Sequence, residues 1–239
     1  MPEALNPQKP PLSPIARGRT ATDEVEERLI LAIATGAKSS GDRITEAEIA
    51  AALNVSRVPA REAMKNLLVR GVLVENEQRG LKVADYGPQR LAELFELRFA
   101  VEKIIFQHAM RRGHDRQPML AELAGILDRM RELSGSGDAV ALSAIDLEFH
   151  RAVARHSGDA LAAQIWEGLA QHLLIVFCRD WSRAADRAGE VRLHETLLAY
   201  LRDGSPADLD MVLQQHFSEP VAAPQELSRE ENPDEDTVG

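Results

Sequence analysis

The chain has 239 residues and a formal net charge of -10, with 44% hydrophobic but only 4% aromatic residues. This length suits one large or two modest domains, and an aliphatic core favours helices packed on helices. The single cysteine, Cys178, excludes a disulfide framework, and the acidic charge argues against a protein that coats nucleic acid without specificity.

The two ends of the chain have compositions typical of disordered segments. Residues 1–19 are rich in proline and lack the apolar region of a signal peptide. Residues 218–239 form an acidic tail with Arg229 as its single basic residue. No apolar run approaches the length of a membrane span, so we expect a soluble, cytoplasmic protein that binds no membrane.

Helical periodicity begins at Thr22, after which apolar residues recur at helical spacing, and the first predicted helix ends at Gly36. A loop at 38–43 follows. Thr45 and Glu48 then form a predicted capping box, in which each side chain satisfies a free backbone N–H at the start of a second helix.

A third helix is predicted to begin between Ser56 and Pro59, because a proline in the first turn loses no hydrogen bond there. This helix ends before Gly71. The residues that we expect on its buried face are Ala60, Ala63, Met64, Leu67 and Leu68.

Two segments, 72–75 and 81–84, alternate apolar and polar residues around a turn that ends at Gly80, which predicts a β-hairpin. From Pro88 onward the periodicity is helical, with glycine-rich breaks between segments. The candidate helices are Pro88–Arg112, Gln117–Leu133, Asp138–Ser157, Ala160–Trp181, Asp186–Asp203 and Pro206–Phe217. We therefore predict a mainly α fold, with a first domain of three helices and a hairpin at 20–86 and an all-helical domain at 87–217.

Positive charge is concentrated on the third predicted helix, although the whole chain is acidic. Arg57, Arg61 and Lys65 follow one another at four-residue spacing and share one face. A short helix, a tight turn and a second helix with basic residues at its start are typical of a helix-turn-helix, whose second helix enters the major groove. Lys65 is better placed for the DNA backbone than for the bases. An ordinary solvated helix face is the alternative.

Residues 22–84 resemble the winged helix-turn-helix domain of the GntR family of bacterial transcription regulators. The similarity is carried by ITEAEIAAALNVSRVPAREAMKNL, which starts at Ile44, by GVLV from Gly71 and by the Arg79-Gly80 pair. The resemblance implies a homodimer that reads a two-fold symmetric DNA operator. The residues implied in contacting it are Ser56, Arg57, Val58, Pro59 and Arg61, with Arg79 and Gly80 at the tip of the wing.

Four potential metal ligands stand out in the helical region. Asp146 and His150 are four residues apart on one predicted helix, and His194 and His216 lie on the last two helices. One carboxylate and three imidazoles suit zinc, nickel, iron or manganese. By spacing alone, a simple Asp146–His150 pair with unrelated histidines is the more common origin of such a pattern.

Residues 88–217 resemble the FCD ligand-binding domain of the FadR-like subfamily, through the D-x-x-F-H motif and the two later histidines. The ligands of a divalent metal, with zinc as the first choice, are then Asp146, His150, His194 and His216. The resemblance also implies that Arg98 contacts a small carboxylic acid effector, since a guanidinium can bind a carboxylate through two parallel hydrogen bonds. An ion pair with Glu102 is the alternative for Arg98.

These patterns together predict a dimeric, ligand-responsive transcription regulator, acting as a repressor, and not an enzyme. A metal-dependent hydrolase with the same four ligands is one alternative, but it lacks an evident general base and leaves residues 22–84 unexplained. A helical domain that only dimerises and binds no ligand is the other alternative.

Overall fold

The structure is a computed structural model that describes residues 19–77, 80–111, 116–183 and 187–217. Its helices are α1 (Ala21–Ala34), α2 (Glu46–Ala52), α3 (Arg57–Val69), α4 (Pro88–Arg111), α5 (Gln117–Ser134), α6 (Ala139–Ser157), α7 (Ala160–Arg183), α8 (Arg187–Asp203) and α9 (Leu209–Phe217). Three short strands are β1 (Arg43–Ile44), β2 (Leu73–Glu75) and β3 (Leu81–Val83). The predicted mainly α fold is confirmed. The predicted acidic tail and residues 1–18 of the predicted N-terminal arm lie outside the described residues.

A capping box does open a helix in the first domain, but not the predicted one. Thr20 and Asp23 bond reciprocally at the start of α1, with distances of 2.9 and 3.1 Å. At α2 only half of the predicted box forms: the Thr45 hydroxyl accepts from the backbone N–H of Glu48 at 3.3 Å. The Glu48 carboxylate instead pairs with Lys38 on the preceding loop, because a nearby ammonium group competes for it.

A tight turn joins α2 to α3 and sets the angle between them. Asn54 lies in this turn with φ of 52°, a left-handed conformation that asparagine tolerates better than most residues. The predicted inner face of α3 is buried at four of its five positions, while Leu68 is only half-buried. The predicted hairpin is confirmed as β2 and β3. The sequence did not reveal β1, since two residues are too few to show alternation.

The strands form an antiparallel sheet in the order β1-β3-β2, with Arg43 opposite Lys82 and Leu73 opposite Val83. In the second domain, α6 packs against α4, α5 and α7 and contributes eleven buried residues. The last predicted helix begins with a separate 3₁₀ turn at Pro206–Asp208 before α9.

Helix α7 corrects one expectation. Its segment Ala160–Arg179 is long and apolar enough to cross a membrane by length and composition, with a mean hydropathy of 1.3. Half of this segment is buried inside the protein, where α7 packs on α1, α4 and α6. Packing within the fold therefore accounts for its apolar character, and the segment is weak evidence for a membrane span.

The two domains meet where α3 ends. The backbone carbonyl of Arg70 accepts a hydrogen bond from Nε2–H of His172 on α7, at 2.9 Å. A carbonyl can only accept, so Nδ1 of the same ring carries the lone pair and accepts from the Tyr86 hydroxyl, also at 2.9 Å. Arg90, in the first turn of α4, donates to the carbonyl of Gly71 at 2.8 Å. Both long helices thus hold the C-terminal end of α3.

We expect the substitution Tyr86→Phe to lower the free energy of unfolding by about 1–3 kcal/mol, because it leaves the buried Nδ1 of His172 without its donor. Chemical denaturation would measure this loss. Tyr200→Phe is the matched control, since the described part of the chain gives the Tyr200 hydroxyl no hydrogen-bond partner. Equal stability of the two variants would contradict the bridging role of Tyr86.

Candidate DNA-binding face and metal centre

The N-terminal end of α3 presents its basic residues to solvent. Ser56, the residue that precedes the helix, makes no side-chain capping hydrogen bond, so its hydroxyl is free of the helix end. Arg57, Arg61 and Lys65 are all exposed, and Val58 is 58% exposed between them. Of the other predicted contacts, Pro59 is half-buried in the first turn. The residues form one outward face, as their spacing predicted.

The wing carries basic residues that the sequence did not single out. Gly80 has φ of 96°, so it takes a backbone conformation that side chains rarely adopt. The predicted partner Arg79 lies outside the described residues. Arg43 on β1 comes within 3.7 Å of the position that a Cβ on Gly80 would take, and it stands opposite Lys82. Like charges opposite one another destabilise a sheet unless an anion neutralises them, which suits a surface that meets phosphates.

The four predicted metal ligands converge at one buried place in the second domain. His150, His194 and His216 bring ring nitrogens within 4.8 Å of one another. Asp146 Oδ1 lies 3.4 Å from His194 Nε2 and 3.6 Å from His150 Nε2, and His216 Nε2 lies 3.2 Å from His150 Nε2. Helices α6, α8 and α9 supply these groups. One carboxylate and three imidazoles form a donor set that fits a divalent metal ion.

His194 and Asp146 face each other through atoms that both carry lone pairs. His194 Nδ1–H donates to the carbonyl of Glu190 at 3.0 Å, which leaves the Nε2 lone pair towards the carboxylate. Neither facing atom has a hydrogen-bond partner among the described residues. Burial alone would lower the pKa of His194, but the Asp146 carboxylate raises it above its usual value. A proton or a metal ion would supply the positive charge that this pair lacks.

His150 is held from its other side by a buried carboxylate. Its Nε2 accepts from Arg98 Nη2 at 2.9 Å, and since a guanidinium only donates, the ring proton is on Nδ1. That nitrogen faces Glu102 Oε2 at 2.8 Å. Glu102 Oε1 also accepts from Arg98 Nε at 2.8 Å and from Trp166 Nε1 at 3.1 Å. A carboxylate behind a ligating imidazole orients the ring and raises its basicity.

The charge balance of this cluster depends on the same contacts. Burial would raise the pKa of Glu102, but Arg98 and His150 more than offset this and hold it at about 2. Burial lowers the pKa of His150, and burial lowers the pKa of His216 well below its usual value. The imidazoles of His150 and His216 are therefore neutral near pH 7, which is the form that binds a metal.

Arg98 is deeply buried, with 3% of its surface exposed, and makes the ion pair with Glu102 that the sequence offered as an alternative. Its guanidinium also lies over the rings of Phe217 and Phe177, at 4.3 and 4.9 Å from their centroids. These contacts leave its predicted role towards an effector open.

Several residues of the site were not found from the sequence. Glu102 entered only as a partner of Arg98, and His172 was not singled out by any motif. Trp166 and Tyr86 have no motif around them. Each acts through a contact between elements distant in the chain, and no spacing pattern records such a contact.

Comparison with known proteins finds two family models that match this chain. The model of the family described as "Bacterial regulatory proteins, gntR family" matches residues 21–83, and the FCD domain model matches residues 93–219. The chain is 30% identical over 184 residues to the Nta operon transcriptional regulator of Aminobacter aminovorans, covering 75% of this chain and 84% of that protein.

Two further matches cover most of the chain. It is 28% identical over 200 residues to a probable D-xylose utilization operon transcriptional repressor of Paenarthrobacter nicotinovorans, covering 83% of this chain and 86% of that protein. The solved structure of McbR/YncC from E. coli aligns with a TM-score of 0.71 and 21% identity, over 84% of this chain and 94% of that one. At that identity the structural match establishes a shared fold alone.

Proposed function

We propose, on the premise that this chain belongs to the GntR family of bacterial regulatory proteins and carries an FCD domain, that it is a cytoplasmic homodimeric repressor controlled by a metal ion and a small carboxylic acid. The family assignment makes the chain a transcription regulator and not an enzyme. The hydrolase alternative that the four metal ligands allowed is therefore excluded. The repressor assignment is supported by the P. nicotinovorans relative, which is named as a repressor.

The observation that carries the proposal is a physical connection between the two sites. Helix α4 contacts the metal-ligand cluster through Arg98 and reaches the end of α3 through Arg90. Helix α7 contacts the same cluster through Trp166, whose ring stacks on His150 and whose indole N–H donates to Glu102, and α7 reaches the end of α3 through His172. A ligand that favours one placement of these helices would bias the placement of α3, which is what coupling between two sites requires.

DNA binding would use the outward face of α3 in the major groove and the wing on the backbone or minor groove. Arg57 and Arg61 are the residues that we assign to base edges, and Lys65 and Arg43 would contact phosphates. The acidic net charge of the rest of the chain would weaken non-specific binding at physiological salt. Such a protein should bind a specific two-fold symmetric operator and release other DNA readily.

Dimerisation is supported by an apolar surface shared by α4 and α7. On α4, Leu97 and Ile104 are exposed seven residues apart; on α7, Leu161 and Ile165 are exposed four residues apart. Their exposed fractions run from 43% to 68%. Gly168 lies on the same face of α7 with open space where a side chain would be, which allows a second copy to approach closely. An apolar surface of this kind is a common protein–protein contact.

The metal would be held by Asp146 Oδ1 and the Nε2 atoms of His150, His194 and His216, with Glu102 orienting one ring. Zinc is the first choice for a site rich in imidazole, although nickel, iron and manganese also accept this donor set. When bound, the ion would supply open coordination positions for a carboxylate. His194 Nε2 and Asp146 Oδ1 face each other with lone pairs and no donor between them. This arrangement favours a metal-binding domain over a domain that only dimerises.

We predict that Arg57→Ala and Arg61→Ala each lose about 1–3 kcal/mol of binding to the protein's own upstream DNA, because a base-reading guanidinium is removed. Fluorescence anisotropy or a mobility-shift assay would measure this. Arg28→Ala is the control, since Arg28 is an exposed residue on α1 and the charge change is the same. Unchanged specific binding in both variants would refute the assignment of this face.

The metal proposal predicts about one divalent ion per chain in untagged protein and almost none in the His150→Ala/His194→Ala double variant. Elemental analysis by mass spectrometry would give both values. The double variant His108→Ala/His156→Ala is the control, because these half-exposed residues pair with surface carboxylates and the number of histidines removed is equal. Equal metal content in all three proteins would rule out the site.

For the dimer, Leu97→Glu combined with Ile165→Glu should convert the protein to a monomer, because four buried glutamates would have to be desolvated in the symmetric contact. Light scattering after size-exclusion chromatography would report the mass. Met211→Glu, at an exposed apolar residue on α9, should leave the mass unchanged. A dimer that persists in the double variant would place the contact elsewhere.

A further inference from the structure

We propose that Arg98 and a metal ion compete for the same lone pair on His150, so that metal binding releases the Arg98 guanidinium to take the effector carboxylate. This inference rests on the proposed metal site and adds an order to it: metal first, carboxylate second. It is carried by the contacts of Arg98 rather than by any motif.

The competition follows from the chemistry of the imidazole. Arg98 Nη2 donates to His150 Nε2 at 2.9 Å and lies 3.4 Å from His216 Nε2. A neutral imidazole has one lone pair in its ring plane, on the nitrogen that carries no proton. A metal bond to His150 Nε2 uses that lone pair, so the Arg98–His150 hydrogen bond and the metal bond exclude one another. The positive guanidinium at this distance also opposes a cation directly.

Arg98 keeps anchors that hold it beside the site after this hydrogen bond is broken. Its Nε donates to Glu102 at 2.8 Å, and its plane lies over the rings of Phe217 and Phe177. The bond from Nε uses only one edge of the guanidinium. The two terminal nitrogens would then be available to a carboxylate, which is the geometry in which arginine binds such groups most strongly.

Arg98 cannot donate to His150 and bind the effector carboxylate through the same terminal nitrogen at the same time. While Arg98 Nη2 donates to His150, this nitrogen cannot also donate to a carboxylate. A carboxylate would then find only part of the guanidinium available. With a metal ion on His150 Nε2, the positive charges of the ion and of the Arg98 guanidinium would both favour an anion beside them. Carboxylate affinity should therefore depend on prior metal binding, a positive coupling between two ligands.

The test measures Zn²⁺ affinity by chelator competition in the full-length protein and in Arg98→Gln. Removing the competitor should make Zn²⁺ bind about tenfold more tightly, as expected for the loss of one charged hydrogen bond to the ligand atom. Lys103→Gln is the control: it removes one positive charge from the same helix, at a residue paired with Asp210 at the surface. It should leave the affinity unchanged.

The outcomes separate this inference from the proposed function. If the unsubstituted protein binds no Zn²⁺, the metal site itself is refuted. If it binds Zn²⁺ and Arg98→Gln binds it equally or more weakly, the competition is refuted and the metal site stands. Because Arg98→Gln could fail to fold, the unsubstituted protein provides a second measurement. Zn²⁺ should shift the ¹⁵N–¹H resonances of the Arg98 guanidinium, and unchanged resonances in the loaded protein overturn the inference.

Acetate serves as the carboxylate probe for the second step. Calorimetry should detect acetate binding to the Zn²⁺-loaded protein, at least tenfold weaker binding to protein treated with chelator, and loss of binding in Zn²⁺-loaded Arg98→Gln. Equal acetate affinity with and without Zn²⁺ would contradict the order. Full acetate binding in the loaded variant would exclude Arg98 as the receiving group.

Discussion

The buried carboxylate of Glu102 is the interaction on which the second domain depends. A charge with 1% of its surface exposed is costly unless it is compensated, and Glu102 is compensated by Arg98, His150 and the indole of Trp166. These partners come from three helices: α4, α6 and α7. Satisfying one charge therefore fixes the relative placement of α6, which carries the metal ligands Asp146 and His150, and of α4 and α7, which carry the contacts to the first domain.

The C-terminal end of α3 is held by hydrogen bonds from the second domain. The carbonyls of Arg70 and Gly71, which directly follow α3, accept hydrogen bonds from His172 and Arg90, and both donors lie on helices that contact the Glu102 cluster. A few ångströms of movement in α4 or α7 would break bonds between buried or half-buried polar groups, each of which is expensive to leave unmade. Such a connection favours a small number of discrete arrangements over gradual deformation.

The sequence predicted the first domain in detail because its signals are local. The α2–α3 turn, the basic spacing of α3 and the hairpin each occupy a few consecutive residues. The four metal ligands could also be predicted from the sequence. Asp146 and His150 are one helical turn apart, and the family resemblance indicated the two later histidines. The structure brings all four together.

Contacts between elements that are distant in the chain could not be predicted from the sequence. The capping box at Thr45 is only half formed, because the Glu48 carboxylate pairs with Lys38 instead of the backbone N–H of Thr45. Strand β1 is defined by its pairing with β3. The roles of His172 and Tyr86 depend on a hydrogen bond across 86 residues of chain. We expected no apolar run as long as a membrane span, whereas Ala160–Arg179 of α7 is long and apolar enough by composition, and half of it is buried within the protein.

Reciprocity offers the most direct test of the central claim, that the metal centre and the DNA-binding face are coupled through α4 and α7. Zn²⁺ affinity should be measured with and without a saturating DNA duplex that carries the operator, and operator affinity with and without Zn²⁺. Because a dimer would hold two Zn²⁺ ions, we expect the operator affinity to change by the product of the factors by which the affinities of its two Zn²⁺ sites change, and we expect these factors to differ from one, as thermodynamic linkage requires. A factor of one in both would contradict the coupling, even if the metal and the DNA each bind tightly.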